Sequence, residues 1–82
     1  MGARKKFPEF DDLTAEDFSA LLRLAKLSAL EKEIATQYIV WHMCDADVAA
    51  AADRDRRTVA RWMDDIILPE LRRMMRKMEG AA

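Results

Sequence analysis

The chain has 82 residues, which is room for one domain with a thin core and not for several. Hydrophobic residues make up 51 % of it and charged residues 35 %, a mixture too apolar and too balanced in sign for a disordered polyelectrolyte. The net charge of −1 excludes a uniformly basic nucleic-acid coat, and the single cysteine, Cys44, excludes an intrachain disulfide and fits a reducing compartment.

Residues 1–12 read as a polar N-terminal arm that packs through Phe7 and Phe10. It carries Arg4, Lys5 and Lys6, a solvated tail or an arm that tracks DNA. It lacks the apolar stretch of a signal peptide and the Ser or Thr that an N-myristoylation signal wants at Lys6. No later run approaches the roughly 20 apolar residues of a membrane helix. A soluble, cytoplasmic protein without a membrane partner is expected.

Thr14 is placed to cap a helix, with Asp17 as its box partner. Phe18, Leu21, Leu22 and Ala25 then form one apolar helical stripe. Ser28 and Glu31 make a second capping box, which opens a helix over 29–43 with Leu30, Ile34, Tyr38 and Trp41 on one face. Residues 36–41 are rich in β-formers, but the helical spacing and the lack of a partner strand decide for helix. Asp45 is expected to cap a short helix over 46–52, and Asp55 the next, over 56 to about 67. Pro69 disfavours helical geometry at Leu68, so a kink or a new helix is expected there. Leu71, Met74, Met75 and Met78 form a last apolar stripe, with Arg72, Arg73, Arg76 and Lys77 mostly away from it. Glycine occurs only at positions 2 and 80 and proline only at 8 and 69, which leaves almost no hairpin chemistry. The expected fold is all-α, about five helices in a small bundle, with residues 13–80 as one helical domain.

The two short helices and their tight join carry the functional reading. The first is built of small side chains, so that a second can approach closely. The join is Asp53-Arg54-Asp55. The second places Val59, Trp62, Met63 and Ile66 inward and Arg57, Arg61 and Asp64 outward, with Arg56 and Thr58 in its first turn. DADVAAAADRDRRTVARWMDD resembles the helix-turn-helix of bacterial and phage regulators, through Val48-Ala49, Arg56 to Val59 and the bulky Trp62. With the preceding LSALEKEIATQYI, the layout over 27–67 is similar to the fourth region of bacterial sigma factors and to related phage regulators. The resemblance implies a recognition helix, here near 45–67, laid in the major groove by a protein that is often a dimer or bound to RNA polymerase. Two positions depart from the motif: Asp53 stands where it usually has Gly, and Arg54 where it usually has an aliphatic residue.

The residues make a physical case of their own. Arg54, Arg56, Arg57 and Arg61 fall within eight positions, and guanidinium groups bind guanine edges or phosphates in bidentate fashion. Thr58 can reach a phosphate or a thymine methyl. Asp64 sits three residues past Arg61, where it could aim that side chain or accept from a cytosine amine. Residues 1–53 hold six Lys or Arg against ten Asp or Glu, net −4, whereas 54–82 hold eight against five, net +3. One end is therefore suited to a polyanion and the other to something else. The expected function is a sequence-specific DNA-binding transcriptional regulator that reads duplex DNA with Arg54, Arg56, Arg57, Thr58 and Arg61. The alternative is a protein-interaction module of the transcription or phage DNA-packaging machinery, resembling a small terminase subunit. Leu71, Met74, Met75 and Met78 are expected either to pack in the chain's own core or to form a homodimer seam. His42 and Cys44 lie two apart, off a common helix face, and no second Cys or His completes a set, so neither metal nor cofactor is expected. No Ser, His and acid set and no Gly-rich phosphate loop points to catalysis.

Overall fold

In a computed structural model, residues 7–80 are described and are all-α. Arg4, Lys5 and Lys6 lie outside the described residues. A 3-10 turn, Pro8–Phe10, leads into α1 (Ala15–Leu24), α2 (Ala29–Ile39), α3 (Asp45–Ala52) and α4 (Arg56–Trp62). A π turn, Met63–Ile67, joins α4 to α5 (Leu68–Gly80), and no strand occurs among the described residues.

The helix starts follow the caps. The Thr14 hydroxyl accepts from the Asp17 N–H at 3.0 Å. The Ser28 hydroxyl accepts from the Glu31 N–H, while the Glu31 carboxylate takes the Ser28 N–H at 2.8 Å, a complete capping box. Each satisfies amide donors that the first helical turn leaves without a partner. The core joins Phe10, Phe18, Leu21, Ala25, Ile34, Tyr38, Val48, Val59, Met63, Ile67, Leu71 and Met74. The arm contributes as expected: Phe10 meets Phe18 edge-on, and Phe7 meets Tyr38, each with ring centroids 6.2 Å apart.

Three expectations are corrected. Helix α2 ends at Ile39, not at 43. Val40 and Trp41 both donate to the Thr36 carbonyl, and His42 turns left-handed at φ 54°. Trp41 is thereby thrown clear of the face it was expected to share with Tyr38 and is 69 % exposed. Asp45 is the first residue of α3 and not its cap; Cys44 holds the cap position without a side-chain bond. The Asp45 carboxylate instead takes a short hydrogen bond from the Tyr38 hydroxyl, tying α2 to α3. Burial, and then this carboxylate, push the Tyr38 hydroxyl well above its ordinary pKa.

The third correction concerns the inner face after α4. Val59 and Met63 are fully buried as expected, but Ile67 is buried where Ile66 was expected, and Ile66 is 42 % exposed. The π turn supplies the reason. The Leu68 N–H reaches back five residues to the Met63 carbonyl, so the extra residue in this turn shifts the inward position by one. Pro69 fits at this point, because it has no N–H and its ring would crowd the carbonyl four residues earlier in a regular helix. The kink or new start expected at Leu68 is thus realised as a π turn. Of the last apolar stripe, Leu71 and Met74 are buried in the chain's own core, and Met75 and Met78 pack at its edge and are half-exposed.

Candidate nucleic-acid interface

Helix α3 is alanine-rich, and α4 packs on it more extensively than any other pair of elements in the fold. Val48 and Ala49 face inward from α3, and Val59 from α4. Small side chains on α3 let the two backbones approach closely. The turn between them is made at Asp53, which adopts the left-handed conformation, φ 54° and ψ 47°. The Arg54 N–H closes onto the Ala49 carbonyl at 3.0 Å, and the Asp53 N–H onto Ala50 at 3.3 Å. This paired closure is a Schellman ending, which usually takes Gly at the left-handed position. Asp53 therefore supplies the left-handed turn that such an ending usually takes from Gly, at the cost of crowding its Cβ. Arg54, in place of the aliphatic residue, points to solvent, and its guanidinium donates to the Asp53 carbonyl at 3.3 Å.

Asp55 then caps α4 as expected, its carboxylate accepting from the Arg57 N–H at 2.8 Å. With Val59 and Met63 held in the core, helical geometry directs Arg57 and Arg61 outward. Arg54, Arg56, Arg57 and Arg61 are all exposed, and Thr58 is half-buried beside them. Among the described residues, Arg56, Arg57 and Arg61 enter no salt bridge. Asp64 and Asp65 follow in the π turn and are also exposed.

Two arginines of α5 behave differently. Both Arg73 Nε and Nη2 donate to Glu70, at 2.9 and 2.8 Å. The Glu70 carboxylate also takes the Lys26 N–H at 2.6 Å, which pins the loop between α1 and α2 to α5. Arg73 first, and then the Lys26 amide, hold the Glu70 carboxyl down at about 2. Arg72 bonds Glu9 at 2.9 Å. Burial works against ionisation of Glu9, but its own backbone amide and Arg72 outweigh it and lower its pKa. Structural ion pairs thus occupy the guanidinium groups of Arg72 and Arg73, and those of Arg56, Arg57 and Arg61 stand apart from them.

His42 is exposed and Cys44 half-buried. Among the described residues, no group of three His, Cys, Asp or Glu side chains is arranged to hold a metal ion, and no helix is long and apolar enough to cross a membrane. No family model, no curated protein and no solved structure matches the chain.

Proposed function

We propose that the chain is a sequence-specific DNA-binding regulator of transcription, with α3, the Asp53 turn and α4 as its helix-turn-helix. One observation carries this reading. Four exposed arginines surround the start and outer face of a helix that is braced from behind by α3, and Arg56, Arg57 and Arg61 are in no salt bridge among the described residues. In α5 of the same fold, Arg72 and Arg73 are paired with carboxylates. A solvated structural surface would gain by the same pairing, whereas a phosphate-binding surface has to keep its donors available.

In this reading α4 lies in the major groove. Arg57 and Arg61 meet base edges, because they project from the helix face opposite the core. Arg56 and Arg54, at the entrance of the helix, hold phosphates together with Thr58. The exposed Asp64 and Asp65 limit how far along the helix a phosphate backbone can come, so the contact is confined to the first two turns. A bacterial or phage origin fits the resemblance stated above, and docking on RNA polymerase would use surfaces other than α4.

The test is a fluorescence titration with random-sequence duplex, followed by selection of a preferred site. Salt-sensitive binding at micromolar protein is expected, and Arg57→Ala and Arg61→Ala should each cost about 1–3 kcal/mol at the selected site. Equal affinity of these variants for the selected and random duplexes would mean that α4 does not read sequence.

A further inference from the structure

We propose that Asp53 and Asp55, the acids on either side of Arg54, are specificity-determining residues of the DNA contact. Their charge weakens binding that is held by phosphates alone and leaves recognition to the arginines that meet bases. This rests on the reading of α4 as the helix that contacts DNA.

Both acids are exposed. Neither carboxylate enters a salt bridge among the described residues, although Arg54, Arg56 and Arg57 are their chain neighbours. The Arg54 guanidinium donates to the Asp53 carbonyl and not to its carboxylate. The Asp55 carboxylate accepts from the Arg57 N–H, so it occupies an amide of the kind that DNA phosphates use at helix starts.

The fold asks for the shape of these side chains more than for their charge. Asp53 ends α3 in the left-handed conformation, which Asn also adopts and Gly adopts more easily. Its carboxylate belongs to the C-terminal end of α3, where the helix dipole disfavours a negative charge. Asp55 caps α4, a task that Asn performs equally well, although the dipole there favours the charge. The two dipole effects oppose each other, so the pair of charges gives the fold little.

An approaching polyanion does feel both. They flank Arg54 and directly precede Arg56, the arginines assigned to phosphates, whereas Arg57 and Arg61 project from the outer face of α4. A carboxylate about 6 Å from a phosphate in dilute salt weakens the attraction about two- to threefold. Non-specific complexes are held by phosphates and bear this in full. At a preferred site, hydrogen bonds from Arg57 and Arg61 to base edges fix the helix in the groove, and a smaller share of the binding depends on its entrance.

The test compares the natural chain with a variant carrying Asp53→Asn and Asp55→Asn, titrated with random-sequence duplex and with the selected site at about 0.1 M salt. A control carrying Asp11→Asn and Asp12→Asn changes the net charge equally, at exposed positions ahead of α1. Affinity of the first variant for random duplex should rise about four- to tenfold, and its affinity for the selected site should rise less. The control should gain less on random duplex. Asp53→Gly, which removes one of the charges and suits the turn, should gain about two- to threefold by itself. Unchanged denaturant midpoints for the Asn variants show that turn and cap are kept. Unchanged affinity for random duplex, an equal rise on both duplexes, or an equal gain by the control would overturn this role while leaving α4 as the DNA-contacting helix. Absence of salt-sensitive binding by the natural chain and the variants alike would overturn the DNA reading, and this role with it.

Discussion

Asp53 occupies a backbone conformation that an L-residue with a Cβ resists, by about 1–2 kcal/mol for a typical residue and less for Asp or Asn. The turn nevertheless forms, because the Arg54 and Asp53 amides close two bonds onto α3 and the contact between α3 and α4 demands that geometry. Asp53→Gly should therefore raise the unfolding free energy by about 0.5–1 kcal/mol, after allowance for the greater freedom of Gly in the unfolded chain, and Asp53→Val should lower it by a similar or larger amount. Denaturant titration of the three proteins measures the order. Glu70 is a second residue whose chemistry sets a measurable quantity. Its carboxyl is held at about 2 against an ordinary 4.5. A depressed folded-state pKa means that the ionised form stabilises the fold: the contribution is complete above about pH 4.5 and is lost as the pH falls through about 2. Glu70→Gln should cost about 1–3 kcal/mol near neutrality and flatten the decline in melting temperature over that acidic window. The Arg72–Glu9 pair is more exposed, at 51 % and 31 % for the two side chains, and its removal should change stability by less than about 1 kcal/mol.

At the scale of elements, the Tyr38 hydroxyl is a polar tie between α2 and α3, and the pair formed by α3 and α4 is braced through it. Tyr38→Phe should cost about 1–2 kcal/mol, since the ring packing is kept and one hydrogen bond to a carboxylate is lost; thermal unfolding gives the value. The same elements show what was legible in the sequence. The start of α1 and α2 could be read, because Thr14 and Ser28 act on amides within three residues of themselves. So could the start of α4 at Asp55. Helix ends were harder. Nothing in a single residue type announces the left-handed His42 that stops α2, since histidine has no conformational preference as strong as that of Gly. Asp45 looked like a cap because Asp commonly is one, but a tyrosine seven residues earlier claimed its carboxylate. The π turn was signalled only by Pro69; its consequence, Ile67 inward in place of Ile66, requires knowing which carbonyl each amide reaches. The candidate interface was the most legible part, because outward projection of Arg57 and Arg61 follows from the inward positions of Val59 and Met63.

Across the whole molecule, charge and topology act together. The acidic residues concentrate before the turn and the basic ones after it, so in the proposed reading the start of α4 would meet the polyanion and repulsion would direct the acidic half away from it. Binding to any duplex should then be governed by counterion release from the phosphates that Arg54, Arg56 and their neighbours neutralise. The most direct measurement is the slope of log affinity against log salt concentration for random-sequence duplex, taken for the natural chain and for a variant carrying Arg56→Gln, Arg57→Gln and Arg61→Gln together. A slope of about −2 to −4 is expected for the natural chain, with a loss of roughly one for each arginine that touches a phosphate. Equal slopes for the two proteins, or no salt-sensitive binding at micromolar concentration, would contradict a role for α4 in holding DNA.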